Sequence, residues 1–359
     1  MVINRFMHFL LGLSLTLLLL PRAVQADDID IYLNPTAAAG VPHVNLMLDY
    51  RPSLFKPLCT YGESGTCLPP FMSAEAYAEL DPAAYLEGAS VSTYDVFVAV
   101  VSTVFRDPLF EDVQLALSVP NKVNGGTLLS GYRPLLTHRD DLIALLKSVP
   151  EAIAEDERHL LQPKETFFEW FRYVNGGDVE LGRATAGNFG SDIGVPPVPD
   201  FDPAIIQGDS YLQPFASAQS CARFFSVAMA LGLEESDSDL DTQIAAEMAP
   251  SAAEGGFPAM LQYLHAKGTD IASPLTGVQN MEKTWALGDT TSQAVAQDWA
   301  RAGGSGQPLN LDDPAELELR LENAFREVIS VSSTFAAASV PVNVFNRAES
   351  VDNIYIALF

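Results

Sequence analysis

VNLMLDYRPS, residues 44–53, opens with five mostly apolar residues, meets an acid at Asp49, and turns into a small polar loop. Such a run reads as a short buried strand that ends where the loop begins. A buried strand that ends on a carboxylate presents that carboxylate at its C-terminal end. The rest of the chain has to say what kind of sheet the strand belongs to and what Asp49 is there to hold.

Further apolar runs recur along the chain. VQLALSV (113–119), ARFFSVAMAL (222–231) and NMEKTWALG (280–288) read as strands. TLLSGYRPL (127–135) reads as another, after the turn signal Asn124-Gly125-Gly126. Between them lie helical patterns. YDVFVAVVSTVF (94–105) has helical length, although its valines leave a strand open. DDLIALLK (140–147) carries acids first and Lys last, as a helix dipole favours. KETFFEWFRYV (164–174) is aromatic and stops at Asn175-Gly176-Gly177. Helices are also predicted over 257–268, 290–303 and 314–330, the last capped by Asp312 or Asp313 with Leu317, Leu321 and Phe325 on one stripe. Residues 50–90 and 187–215 read as irregular, and 235–241 as a solvated acidic loop. Short apolar strands alternating with helices predict an α/β fold, a mostly parallel sheet with helices on both faces. Ligands of such sheets bind at the carboxyl ends of the strands. Asp49 is at one.

Composition narrows the function. The chain has 359 residues, 48% hydrophobic, and a formal net charge of -26. That charge repels phosphate backbones and argues against nucleic-acid binding. At the N-terminus, Arg5 precedes the apolar run FLLGLSLTLLLL (9–20), and Val24-Gln25-Ala26 offers small residues at a cleavage position. Residues 1–26 therefore read as a secretory signal peptide. Their removal takes away Arg5 and Arg22 and no acid, which makes the exported chain more negative by two. The apolar run is short for a membrane span, so the exported chain is expected not to be an integral membrane protein. Export permits disulfides. Cys59 and Cys67 enclose the turn-rich TYGESGT and form the first-choice pair, which leaves Cys221 as a free, buried thiol. Enzyme signatures are missing: there is no GxSxG, P-loop, HExxH or GxGxxG, and the histidines form no recognisable constellation. Asp237, Asp239 and Asp241 alternate as in a calcium loop, but Thr242 and Met248 stand where that loop needs Gly and Glu.

VISVSSTFAAASVPVNVFNRAESVDNIYIALF (328–359) resembles the junction between the vWA-like region and the C-terminal β-propeller in the PilY family of type IV pilus biogenesis factors and tip adhesins. GVQNMEKTWALG (277–288), ETFFEWFRYVNGG (165–177), CARFFSVAMALG (221–232) and VNLMLDYRPS are similar, in the same order, to segments of that family. The resemblance implies a von Willebrand factor A (vWA)-like, Rossmann-like domain over 27–333, with irregular insertions. It also implies a short C-terminal β segment over 334–359, the start of a propeller that is missing. It implies a protein of pilus assembly and surface adhesion that binds pilins, minor pilins or a surface ligand. Its place would be the periplasm, the outer surface or the pilus tip. The alternative is a divergent or truncated scaffold copy without adhesion activity, and an exported hydrolase is the third reading.

The same resemblance implies a test for Asp49. vWA domains often hold a metal ion on an Asp-x-Ser-x-Ser loop, a Thr from a second loop and an Asp from a third. Here Asp49 and Ser53 keep two of these oxygens. Arg51 replaces the middle Ser, and Gln162 and Leu231 stand at the second and third positions. Two protein oxygens are few for Mg²⁺ or Ca²⁺, so the expected ion is none, or a weak one at Asp49 and Ser53. An internal Asp49–Arg51 pair is the preferred reading.

Overall fold

The structure, a computed structural model, describes residues 41–49, 52–121, 125–149, 163–183, 201–214, 223–231, 240–266 and 281–333. The expectations for residues 1–26, Arg51, Gln162, Cys221, Asp237, Asp239 and 334–359 fall outside them. The strands are β1 (Pro42–Met47), β2 (Pro57–Thr60), β3 (Ser90–Ser92), β4 (Gln114–Pro120), β5 (Gly126–Pro134), β6 (Ile206–Gln207), β7 (Ser210–Tyr211), β8 (Arg223–Met229), β9 (Met281–Gly288) and β10 (Leu309–Asn310). The α-helices are α1 (Ala74–Glu79), α2 (Thr93–Arg106), α3 (Leu135–Lys147), α4 (Pro163–Asn175), α5 (Asp241–Glu247), α6 (Pro250–Ala253), α7 (Phe257–Ala266), α8 (Gln293–Ala302) and α9 (Pro314–Ser333).

Six strands form one sheet in the order β10-β9-β8-β1-β4-β5. β1 runs parallel to β4 and β8, β8 to β9, and β9 to β10, while β5 returns antiparallel to β4. The alternation of side chains splits the core in two. Val44, Leu46, Leu115, Leu117, Phe225, Val227, Trp285 and Leu287 pack with residues of α2, α3 and α9. Met47, Phe224, Ala228 and Ala286 pack on the other side with residues of α4, α7 and α8. The architecture is thus α/β with helices on both faces, consistent with a Rossmann-like or vWA-type fold. Both faces being covered explains why the central strands read as nearly continuous apolar runs.

The helix boundaries have local causes. Ser92 and Asp95 close a reciprocal capping box at the start of α2. This cap and the burial of the valines on the sheet settle 93–106 as helix. Asp313 caps α9, its carboxylate accepting from Glu316 N at 3.0 Å, whereas Asp312 accepts from Thr290 N at 2.8 Å. α3 begins at Leu135 and not at the acids 140–141, because the chain turns into helix directly after β5 at Pro134. Gly176, at φ 68°, ends α4 in the left-handed region. Gly126 lets α4 approach β5: a Cβ there would lie 2.6 Å from Thr166 Cα.

Three segments hold more order than the sequence suggested. The region 50–90 contains the antiparallel pair β2–β3 and the helix α1. Residues 203–211 form a 3-10 turn and the small β6–β7 hairpin. Asp241 starts α5, and its carboxylate meets the buried Lys164 Nζ at 2.5 Å, so it is not part of a solvated loop. The 201–205 segment also covers the edge of β5. Asp202 N donates to Leu128 O, and the Asp202 carboxylate accepts from Gly131 N and Arg133. A covered edge offers no ladder for another chain to extend.

Candidate functional site

Among the sheet strands the chain order across the sheet reverses at β1: one neighbour, β4, leads to β5, and the other, β8, leads to β9 and β10. In open α/β sheets the crevice outside the carboxyl ends at this reversal is the usual ligand position. Asp49 stands there, two residues beyond the end of β1, and Leu231 stands two residues beyond the end of β8. The ladder continues past both strand ends. Leu48 N donates to Ser118 O at 2.9 Å, and Ala230 N donates to Leu287 O at 2.7 Å. Asp49 is therefore delivered by a rigid strand, and it is 2% exposed. Ser53 lies in the 3-10 turn Pro52–Phe55 that follows and is half-buried. The fold places Asp49 just beyond the end of β1 and Ser53 in the turn that follows. The Asp49–Arg51 pair lies outside the described residues.

The neighbouring strand ends are occupied. Asn121, at the end of β4, is buried; its amide donates to Gly126 O at 3.1 Å and Leu181 O at 2.8 Å, and its Oδ1 accepts from Gly125 N. Asp289, after β9, accepts from the backbone and hydroxyls of Thr291 and Ser292 at 2.7–2.9 Å. Burial alone would raise that carboxyl, and these bonds bring it below its usual range. Asp289 thus closes the turn that leads into α8, and Asp312 closes the facing turn.

Among the described residues, the donor set at this crevice falls short of what a hard divalent cation takes. Mg²⁺ wants near-octahedral oxygen ligands, and Ca²⁺ wants six to eight. The described strand ends offer one carboxylate and one hydroxyl, and Leu231 offers none. Among the described residues no group of three or more His, Cys, Asp or Glu gathers as metal ligands.

The loop after β1 is a built insertion. Cys59 and Cys67 form the expected disulfide, with Cα atoms 5.2 Å apart. β2 pairs with β3 across it, and Tyr61 is held from both sides, its N donating to Ala89 O and its O accepting from Gly88 N. Tyr61, Tyr77 and Tyr85 meet here, a grouping that sequence reading missed. No periodicity joins three tyrosines spread over separate turns.

At the amino ends of β1 and β4, a cavity of about 350 Å³ is lined by His43, Gln114, Tyr132, Tyr173, Ile205, Leu212 and neighbours. His43 Nδ1 donates to Val41 O at 2.7 Å, and the ring lies edge-on to Tyr132 with centroids 4.9 Å apart. Burial, opposed only by the Val41 bond, lowers its pKa from 6.5 to about 3. The imidazole is neutral in the folded protein. Its folded pKa lies below the unfolded one, so its contribution is complete above pH 6.5 and is lost as pH falls toward 3. Between pH 7 and pH 5 this should cost about 2 kcal/mol. In urea titrations at the two pH values, His43→Gln should abolish about that much of the acid sensitivity. An unchanged pH dependence would mean that His43 is not the buried neutral group.

Among the described residues no helix is long and apolar enough to cross a membrane. Compared with known proteins, the chain matches no family model and no curated protein.

Proposed function

We propose that this chain is an exported, vWA-type protein-binding module of type IV pilus assembly and surface attachment, and that it works without catalysis. Pilins, minor pilins or a surface ligand are its proposed partners, met in the periplasm, at the outer surface or at the pilus tip. One observation carries the reading. The strand end that opens the switch-point crevice leads directly into an ordered, disulfide-closed insertion. Such a loop on a rigid scaffold is where binding residues concentrate in folds of this kind. The PilY-like segments noted in the sequence support the choice of system.

The small donor set at Asp49, Ser53 and Leu231 supports binding through these loops and not through a bridging metal. The same donor set favours the second reading, a scaffold copy that has lost adhesion. Deletion of the gene, with pilus counts and twitching motility as readouts, tests the proposal. A fall in either, restored by the intact chain, supports pilus assembly. Normal pili with lost attachment would restrict the role to adhesion. Normal pili, motility and attachment would overturn the proposal.

A further inference from the structure

We infer that the face formed by Tyr61, Tyr77, Tyr85, Asp81, Leu86 and Glu87 is a docking surface for a lysine or arginine side chain of a partner protein. The inference deepens the protein-binding reading and rests on it.

The rings are already assembled. Tyr61 stacks on Tyr77 with centroids 5.3 Å apart and planes 17° apart, and the Tyr85 ring lies 5.5 Å from that of Tyr61, tilted by 31°. All three rings are partly exposed. Their supports are fixed by the disulfide and by the two backbone bonds of Tyr61. Ordered aromatic rings give large contact area for little conformational entropy.

The charges that reach Tyr61 and Tyr85 have one sign. Tyr61 is raised by burial first, then by its bond to Tyr77 and by the carboxylates Asp81 and Glu87. Tyr85 is raised by burial, then by its bond to Asp95 and the charges of Asp95 and Asp81. The phenols stay neutral, and the charges that reach them are acidic. The carboxylates are also held in place. Glu87 accepts from Ser64 Oγ at 2.7 Å and from Glu63 N and Ser64 N, and Asp81 accepts from Ala83 N at 2.8 Å. The bonds to Ser64 keep the Glu87 carboxyl below its usual range, so it is ionised. Leu86, between Tyr85 and Glu87, is 83% exposed.

Neutral ring faces attract a cation, the carboxylates pair with it, and an exposed leucine suits the methylene stem of Lys or Arg. An aromatic or aliphatic partner would leave both carboxylates desolvated. A phosphate-bearing partner would be repelled.

Fluorescence anisotropy on the full chain, with a labelled tetralysine peptide and the same peptide fully acetylated, tests the inference. The lysine peptide should bind and the acetylated one should not. Asp81→Asn keeps the acceptor for Ala83 and should weaken binding about threefold to fivefold, as should Tyr61→Ser. Leu86→Ser, at a fully solvated position, should weaken it measurably without touching the fold. Asp209→Asn, an exposed carboxylate on the remote β6–β7 turn, should have no effect. Two results would overturn the inference: no binding of the lysine peptide, or equal weakening by Asp209→Asn and Asp81→Asn. The second would mark general attraction to an acidic protein. Neither bears on the pilus reading, which is decided by pilus counts and motility.

Discussion

Trp170→Ala should lower the stability of the folded chain by about 3–5 kcal/mol, the usual cost of removing a large buried aromatic. Trp170 is 0% exposed. Its ring lies 4.8 Å from Phe167 and 6.3 Å from Phe224, and its indole N–H donates to Tyr132 Oη at 3.0 Å. One side chain thus ties α4 to β8 and to β5. Its removal leaves a cavity on the face of the sheet where α4, α7 and α8 pack. It also removes the hydrogen bond to the Tyr132 hydroxyl. Trp170→Phe should recover the packing but not the hydrogen bond, and should fall between the two. Urea unfolding of the three proteins measures this. A loss below about 1 kcal/mol for Trp170→Ala would mean that α4 is not packed on the sheet as described.

Arg172→Met should cost about 2–3 kcal/mol. The guanidinium bonds Glu247 through Nε and Nη2, Glu180 through Nη1 at 2.8 Å and Gln243 through Nη2 at 2.7 Å. Its carbon lies 4.5 Å from the Phe168 ring centroid. Breaking a fully buried ion pair costs about 3–5 kcal/mol, mostly by stranding the remaining charge. Here the arginine is 5% exposed, but Glu180 and Glu247 are each 41% exposed and rehydrate when it is lost, which sets the lower figure. Arg172→Lys keeps the charge but not the planar fork, and should recover less than half. Thermal unfolding of the pair decides it, since equal stability of the Lys variant and wild type would show that charge alone holds α5 to α4.

β1, β4, β5, β8 and β9 were legible because each is an apolar run with covered faces, and α4 and α9 because their stop or cap residues stand in sequence. α3 was misplaced at its start for the same kind of reason. The pair Asp140-Asp141 imitates a first turn, while the true start is fixed by the end of β5. β2, α1 and β3 are too short for periodicity to mark them, and the disulfide and strand pairing order them. Asp49 could be found because a strand run ends on it. Asn121 could not, since an asparagine ahead of Asn124-Gly125-Gly126 looks like ordinary turn chemistry, and its bond to Leu181 depends on the fold. The buried charges of α4 were equally hidden. Nothing in KETFFEWFRYV marks Lys164 and Glu169 as buried; Asp241 of α5 and Tyr211 of β7 bond them only in the fold.

Protein binding at this end of the sheet, as proposed, needs no resident cation. Isothermal titration of the full chain with Mg²⁺, Ca²⁺ and Mn²⁺ tests it most directly. No binding at micromolar strength is expected for any of the three. Micromolar binding that disappears in Asp49→Ala would contradict it, and would make Asp49 and Ser53 the start of a working metal site.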